Sequence, residues 1–279
     1  MKVLILGGKG MAGHVITDYL KKNPNYYVLY TSRDLNDKDA IYLDARDFDR
    51  LETIVASHKP RIIINCIGIL NEQGNSNPLE TFQINSLLPR RLAQIAGLYH
   101  GKLIQISTDC VFSGKVGSYT ENAIPDGTSI YAQSKQLGEV TCGNHLTIRT
   151  SIIGPELKDD GIGLFLWFMN QTGEINGYEK VLWNGVTTLE LAKAIEEMIE
   201  KQVTGLYHLG SETKISKYDL LKAIQSVFAK NDVTIRRDQA FVLDRTIKNT
   251  RTDFLYTPPS YRQMLIELKD WMKIYGSKK

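Results

Sequence analysis

The chain has 279 residues, enough for one extended α/β domain or for a large domain with a smaller partner. Hydrophobic residues make up 42% of it and charged residues 23%, which is typical of a globular protein and excludes a disordered or disulfide-dense class. The 34 Lys and Arg residues nearly balance the 31 Asp and Glu residues, and a formal charge of +3 does not indicate a nucleic-acid surface.

Cysteine usage and apolar runs indicate the cellular compartment. The three cysteines lie far apart in the sequence and predict neither a disulfide framework nor a C-x-x-C metal site. The longest apolar run, residues 62–70, is far shorter than a membrane-spanning helix. We therefore expect a cytoplasmic protein with no metal, no membrane contact and no nucleic-acid partner.

Short apolar runs alternate with amphipathic stretches along the first half of the chain. This alternation is typical of βαβ units and predicts a Rossmann-like, doubly wound α/β fold with a parallel sheet covered on both faces. The predicted strands are residues 3–6, 27–30, 41–43, 61–65, 102–107 and 146–149, and the predicted helices are 11–21, 47–57, 83–99 and 131–142.

The pattern loosens after residue 150, where Gly, Asp and Asn become frequent. An aromatic cluster in this part is expected in a core, and it comprises Phe165, Trp167 and Phe168. Further helices are predicted at 189–201, 217–229 and 261–274. We expect a dinucleotide-binding domain over 1–150, joined by 186–210 returning to the sheet, and a smaller, mostly substrate-binding domain over 151–279.

Glycines at the spacing G-x-x-G-x-x-G join the first predicted strand to the first helix, from Gly7 through Gly10 to Gly13. Glycine permits a positive φ and lets the backbone approach a pyrophosphate, while the amino end of the helix offers free N–H groups. The loop therefore predicts a dinucleotide site. The alternative is a tight turn without a ligand.

The second predicted strand ends in Thr31-Ser32-Arg33, where the ribose of a dinucleotide is expected. A hydroxyl and a guanidinium suit the 2′-phosphate of NADP(H), with NAD(H) as the open alternative. Arg33 could otherwise be a solvated loop charge. Asp44, after the third strand, is placed to contact the adenine, or else it caps the following helix.

Tyr131 and Lys135 have the spacing Y-x-x-x-K at the start of a predicted helix, which places the phenol and the ammonium on one face. Thr108 lies at the carboxyl end of a predicted strand. Its hydroxyl can therefore converge with the phenol on one bound oxygen. The alternative is that all three are unrelated surface residues.

With these motifs the chain resembles the dTDP-4-dehydrorhamnose reductase family of the extended short-chain dehydrogenase/reductase superfamily. The resemblance spans most of the chain, and the matching segments are 7–13, 65–68, 107–112, 131–139 and 149–151. It implies an NADPH-dependent reductase of a nucleotide-linked 4-keto-6-deoxy sugar, acting in dTDP-rhamnose and surface-polysaccharide biosynthesis. The expected partner is the nucleotide sugar, and a homodimer is left open.

The resemblance also implies the roles of individual residues. Thr108, Tyr131 and Lys135 would be catalytic, and Thr108, Asp109 and Ile152 would contact the substrate. The residues lining the cofactor would be Gly7, Gly10, Met11, Ala12, Gly13, Arg33, Asp44, Ala45, Cys66, Ile67, Gly68, Tyr131 and Lys135.

Two positions depart from the family pattern. The family usually has an aromatic residue after Ser-Thr-Asp and a Trp after Arg-Thr-Ser, whereas this chain has Cys110 and Ile152. A uridine-linked sugar, handled by a reductase or an epimerase, is therefore an alternative to the thymidine-linked one. A further alternative is a non-catalytic NADP-binding regulatory subunit, because this family's scaffold also serves as the partner of a synthetase.

Overall fold

A computed structural model describes residues 1–70, 74, 76–158 and 161–276 of the protein. Strands and helices alternate through the first 150 residues. They are β1 Lys2–Leu6, α1 Met11–Leu20, β2 Tyr27–Ser32, β3 Ile41–Tyr42, α2 Phe48–His58, β4 Ile62–Asn65, α3 Pro78–Phe82, a π-helical turn Gln83–Leu87, α4 Leu88–Leu98, β5 Lys102–Thr108, α5 Ile130–Leu137 and β6 Leu146–Thr150.

Shorter strands interrupt the helices of the remaining chain. These elements are β7 Ile152–Ile153, α6 Leu164–Met169, β8 Gly173–Tyr178, β9 Val181–Trp183, β10 Val186–Thr187, α7 Thr188–Glu200, β11 Gly205–His208, β12 Ile215–Ser216, α8 Lys217–Phe228, β13 Val233–Asp238, β14 Leu243–Asp244 and α9 Tyr261–Tyr275. None of the helices described is both long enough and apolar enough to cross a membrane.

Seven strands form one parallel sheet in the order β11-β6-β5-β4-β1-β2-β3. The chain proceeds outward from β1 to β3 and then crosses back to β4 on the other side of β1. This reversal opens a crevice at the carboxyl ends of β1 and β4, where ligands bind in open α/β sheets. The predicted Rossmann-like fold is confirmed.

Both faces of the sheet are buried, as expected for parallel strands. Within β1, Val3 and Ile5 face the core formed with α1 and α7, whereas Leu4 and Leu6 face the core formed with α2 and α4. All four side chains are completely buried. Burying each aliphatic side chain of this size contributes roughly 1.5–3 kcal/mol, so this alternation fixes which face of the strand each helix covers.

The carboxyl-terminal elements build a third core, in which α8 and α9 pack beside the paired strands β8 and β13. Phe165 and Phe168 are buried in it, whereas Trp167 is 40% exposed. Strand β11 returns to the main sheet beside β6. The domain bounds 1–150 and 151–279 stay a prediction.

The helix that carries Tyr131 and Lys135 is shorter than the sequence pattern predicted, because α5 ends at Leu137 rather than near residue 142. Gly138 closes it and lies against the π-helical turn, where an added Cβ would be 1.9 Å from Asn85 O. A larger residue at 138 would push the two segments apart, and Gly138 therefore sets their close approach.

Candidate active site

A backbone cradle joins β1 to α1. Gly7 has a φ of +76°, and a Cβ added at Gly13 would lie 2.1 Å from Gly7 O. Gly10 N donates to Gly7 O at 2.9 Å and closes the turn. Among the described residues no side chain caps α1, and its first turn holds no acidic group, which leaves the N–H groups of Met11 and Ala12 to face an anion. This cradle fits a pyrophosphate.

The segment after β4 lies beside this cradle. A Cβ added at Gly7 would be 2.9 Å from Ile67 Cγ1, and one added at Gly68 would be 3.7 Å from Lys135 Nζ. Burial raises the pKa of the Cys66 thiol to about 12, so Cys66 lines this crevice as a neutral group. Three of the predicted cofactor residues, Cys66, Ile67 and Gly68, therefore lie between the glycine loop and Lys135.

Charged side chains gather where β2 and β3 end. Arg33 is exposed, and Lys9 of the glycine loop pairs with Asp37 at 3.3 Å. Asp44 accepts from Arg46 Nε at 3.0 Å, which lowers the pKa of the Asp44 carboxyl to about 2. The ribose end of a dinucleotide is predicted to lie here, and its contacts with Arg33, Asp44 and Ala45 stay predictions.

The amino cap of helix α2 is Asp47, since its carboxylate accepts from Arg50 N at 2.8 Å. The alternative of a helix cap at Asp44 is therefore not the arrangement found. Ala45, between the two acids, is buried in the core under α2.

Tyr131 and Lys135 project from α5, whose start is fixed by Ser129 accepting from Ala132 N at 3.1 Å. Burial raises the pKa of the Tyr131 phenol, and a hydrogen bond with the Thr108 side chain opposes this. Thr108 ends β5, and its hydroxyl also accepts from Cys110 N at 3.1 Å. The phenol, the ammonium and the threonine hydroxyl therefore meet at the carboxyl edge of the sheet.

Lys135 is almost completely buried, and its Nζ donates to Ile106 O at 2.6 Å. Burial lowers the pKa of Lys135 to about 8, and the Glu139 carboxylate opposes this. At neutral pH the side chain is therefore charged but close to its titration range.

Asn85, in the π-helical turn, is a residue that the sequence motifs missed. Its Nδ2 donates to Ile69 O at 2.9 Å and to Ser134 Oγ at 3.0 Å, and its Oδ1 accepts from Ile69 N at 2.9 Å. The amide thus links the segment after β4 to α5. The sequence signal that could have found Asn85 is a polar residue within the apolar pattern of a predicted helix.

Two cations from the carboxyl-terminal part lie near Asp109 and Cys110, which follow Thr108. Arg245 Nη1 donates to Cys110 Sγ at 3.6 Å, while its buried Nε makes no hydrogen bond with any described residue. Lys217 begins α8 beside Asp109, and burial lowers the pKa of its ammonium to about 8. Burial raises the pKa of Asp109, against the opposing charges of Lys217 and Arg245. The cluster has two cations, one carboxyl group and one orphaned donor, which suits an anionic ligand.

Ile152, where the family pattern has a Trp, lies in β7 and is half-buried against the core under α7. A different aromatic residue reaches this region, because Trp183 Nε1 donates to Ser151 Oγ at 2.8 Å. Lys217 Nζ lies 5.3 Å from the centre of the Trp183 ring. The buried indole of Trp183 therefore lies against Lys217, one of the two cations of the cluster.

The part of the chain that the structure describes contains no group of three or more His, Cys, Asp or Glu side chains that could hold a metal ion. The titratable groups of the site pair with hydroxyls, amides and cations instead. The arrangement can hold a phosphate-bearing cofactor on one side, an anionic ligand on the other, and donate a proton between them.

The chain is similar in sequence to two named proteins. Methionine adenosyltransferase 2 subunit beta of Xenopus tropicalis is 22% identical over 241 residues, which cover 81% of this chain and 72% of that protein. The dTDP-4-dehydrorhamnose reductase of Streptomyces griseus is 30% identical over 138 residues, covering 49% of this chain and 43% of that enzyme.

A solved dTDP-4-dehydrorhamnose reductase from Bacillus anthracis, in complex with NADP, has the same fold. It superimposes with a TM-score of 0.81 at 22% identity, covering 97% of this chain and 99% of that one. The family described as RmlD substrate binding domain matches residues 1–270. Since this match spans nearly the whole chain, the protein belongs to the RmlD substrate binding domain family, which confirms the resemblance predicted from its motifs.

Proposed function

We propose that the protein is an NADPH-dependent reductase of a nucleotide-linked 4-keto-6-deoxy sugar that serves surface-polysaccharide biosynthesis. The observation that carries the proposal is the meeting of Thr108, Tyr131 and Lys135 beside a glycine cradle at the carboxyl edge of the sheet. The Streptomyces griseus and Bacillus anthracis proteins, both named as dTDP-4-dehydrorhamnose reductases, support it.

NADPH fits the residues present. The close approach of Gly13 to Gly7 O and the uncapped start of α1 suit its pyrophosphate, and Arg33 suits its 2′-phosphate. When bound, NADPH supplies a hydride to the keto carbon and becomes NADP⁺. Lys135, beside Gly68, is placed to hold the ribose hydroxyls next to the nicotinamide.

The residues of the chain supply the proton. Tyr131 donates its phenolic proton to the ketone oxygen as negative charge develops there, and Thr108 donates a hydrogen bond to the same oxygen. Because burial raises its pKa, the phenol is protonated at neutral pH and ready to act as the acid. The charge of Lys135 then stabilises the tyrosinate until solvent returns the proton. The products are the alcohol and NADP⁺.

The nucleotide sugar carries a diphosphate, and the cations Lys217 and Arg245 are its proposed partners. The buried Nε of Arg245 makes no hydrogen bond with the described residues, and a bound anion would supply an acceptor, so this donor favours the bound state. Asp109 lies between these cations and Thr108, and we propose that it contacts the sugar. Ile152 stays a proposed neighbour of the same sugar.

The test is NADPH oxidation with thymidine- and uridine-linked 4-keto sugars, using the Tyr131→Phe variant as the probe of the acid. We expect the variant to lose at least about 10²-fold in turnover, because the general acid is gone. Its NADPH affinity should stay within a few-fold of the wild type, since the phenyl ring is retained. Near-normal turnover of Tyr131→Phe would refute the assignment.

A second candidate is a non-catalytic NADP-binding subunit of a synthetase. The similarity to methionine adenosyltransferase 2 subunit beta over 81% of the chain favours it. Under this alternative the protein binds NADPH but reduces neither class of keto sugar. The retained Thr108, Tyr131 and Lys135 favour the reductase, because a binding module has no need of a proton donor beside the cofactor.

A further inference from the structure

A buried ion pair lies beneath the catalytic helix, between Glu139 and Arg149. Arg149 donates from Nε to Glu139 Oε1 and from Nη2 to Glu139 Oε2, both at 2.7 Å. Ser107 Oγ also donates to Glu139 Oε1, at 2.8 Å. The two charged side chains are only 8% and 4% exposed. A carboxylate held by a bidentate guanidinium and a hydroxyl keeps one position.

Glu139 follows Lys135 by four residues and lies just past Gly138, which closes α5. Glu139 Oε1 accepts from Ser107 Oγ and Lys135 Nζ donates to the carbonyl oxygen of the adjacent Ile106, so both side chains end at the same two residues of β5. The recorded hydrogen-bond acceptor of Lys135 Nζ is a neutral carbonyl, Ile106 O. Among the charges around the ammonium, Glu139 most strongly opposes the effect of burial on the pKa of Lys135.

The far side of Arg149 is held by His208. The distance from Arg149 Nη1 to His208 Nε2 is 3.3 Å, and that from His208 Nδ1 to Tyr119 O is 3.0 Å. A carbonyl oxygen only accepts, so His208 donates from Nδ1 and accepts at Nε2 as a neutral ring. Burial lowers the pKa of His208 to about 4, which agrees with that form. Arg149 is therefore held on two sides and cannot move away from Glu139.

We propose that Glu139 is a positioning residue of the reaction, whose fixed carboxylate keeps the buried ammonium of Lys135 charged. The inference rests on the proposed role of Lys135 in holding the ribose of NADPH. Arg149 of β6 and Ser107 of β5 contact Glu139, and His208 of β11 contacts Arg149 on its other side.

Two further titratable groups lie near Lys135. Burial raises the pKa of Cys66, in the segment after β4, to about 12, and it also raises the pKa of Tyr131, one turn earlier on α5. Both stay neutral while Lys135 titrates near pH 8. Burial also lowers the pKa of Lys217, on the substrate side of the cleft, to about 8, so the difference between the wild type and the Glu139 variants, rather than the alkaline fall itself, reports on Lys135.

The experiment is the affinity for NADPH from about pH 6 to about pH 10, measured without a sugar substrate. The wild type should lose affinity as Lys135 deprotonates near pH 8. In Glu139→Gln a stabilising negative charge is lost, so the ammonium deprotonates more readily. We expect the alkaline fall in affinity to move to lower pH by about one unit.

Two further variants separate this role from a structural one. Glu139→Gln leaves Arg149 buried without its carboxylate, which could disturb the fold at every pH. The double variant Glu139→Gln/Arg149→Met removes that charge, and its alkaline fall should stay displaced. Glu52→Gln is the matched control, because it removes a carboxylate paired with Arg91 at 2.6 Å elsewhere, and its profile should match the wild type.

The outcomes are distinct. A fall that stays at the wild-type pH in both Glu139 variants, or that returns to it in the double variant, overturns the proposal. So does a wild-type affinity that does not change across this pH range. The affinity measurement contains no sugar. If the protein binds NADPH but reduces no keto sugar, the proposed function fails, and the pH dependence of NADPH affinity in the Glu139 variants still tests the proposal.

Discussion

The two sides of the cleft differ in whether backbone or side-chain atoms form them. The cofactor side is largely backbone: the turn at Gly7 and Gly13, the uncapped start of α1, and the segment after β4 that Asn85 clamps through main-chain atoms. The opposite side is formed by side chains. Lys217 and Arg245 lie beside Asp109, and Arg245 also donates to the adjacent Cys110.

This difference separates what the fold requires from what the ligand requires. A backbone cradle depends on missing side chains, and any Cβ at Gly13 disturbs it together with the strand-to-helix turn. The cation cluster instead depends on which side chains stand at a few positions on separate loops. Substitution there can change the ligand without altering the sheet, and we expect the two sides to respond differently to mutation.

The largest effect is expected where the backbone cradle is filled. Gly13→Ala places a Cβ 2.1 Å from Gly7 O, and the turn must open to relieve the contact. We expect NADPH affinity to fall at least about 10²-fold, which corresponds to about 2.7 kcal/mol. Isothermal titration of NADPH measures this, with circular dichroism to verify that the variant is folded.

Gly97→Ala is the matched control for that substitution. Gly97 also lies in a helix, but an added Cβ there has no heavy atom within 4 Å. This variant should keep its NADPH affinity and gain roughly 0.5–1 kcal/mol in the free energy of unfolding, because alanine favours the helix. Equal losses of affinity in both variants would contradict a cradle that depends on close backbone approach.

A smaller and more selective effect is expected from the side-chain half of the cleft. Arg245→Met removes the guanidinium whose buried Nε makes no hydrogen bond with the described residues. We expect KM for a nucleotide sugar to rise about 10- to 10²-fold, since one charge-assisted contact contributes roughly 1.5–3 kcal/mol. NADPH affinity should stay unchanged, and steady-state kinetics at saturating NADPH tests the split.

Lys217→Met should act in the same direction as Arg245→Met. Lys248→Met is the control, because Lys248 is an exposed lysine of the same carboxyl-terminal segment. If neither Arg245 nor Lys217 affects KM while Tyr131→Phe abolishes turnover, the diphosphate lies elsewhere and the two cations only balance Asp109.

The cofactor side was predictable from the sequence because its signals are local. Gly7 to Gly13 stand within one turn, and Tyr131 and Lys135 within one helix, so spacing alone places their groups together. The continuous apolar run Val3 to Leu6 likewise predicts a buried parallel strand, and its side chains face the two cores alternately. The fold therefore followed from patterns shorter than about 15 residues, whereas the catalytic roles of Thr108, Tyr131 and Lys135 stay predictions.

The substrate side was not predictable because its contacts join distant segments. Lys217 and Cys110 are separated by about a hundred residues, and the pairing that brings Ile247 against Tyr119 leaves no periodic signal in either segment. The short strands β12 and β14 both pair with β9 and are too brief to show alternation. Asn85 was missed because a π-helical turn is not distinguished from an α-helix by hydrophobic spacing.

The last test concerns Arg33, the predicted cofactor residue whose side-chain charge would select NADPH over NADH. It is exposed near Asp44, whose pKa it helps to lower, and an exposed cation contributes less than a buried one. Arg33→Ala should therefore weaken NADPH about tenfold, or about 1.4 kcal/mol, and leave NADH nearly unchanged. Arg262→Ala removes an exposed arginine from α9 and should change neither affinity. Titration of both cofactors into the three proteins decides the matter. Equal NADPH affinity in Arg33→Ala and Arg262→Ala would make Arg33 a solvated loop charge that takes no part in binding the cofactor.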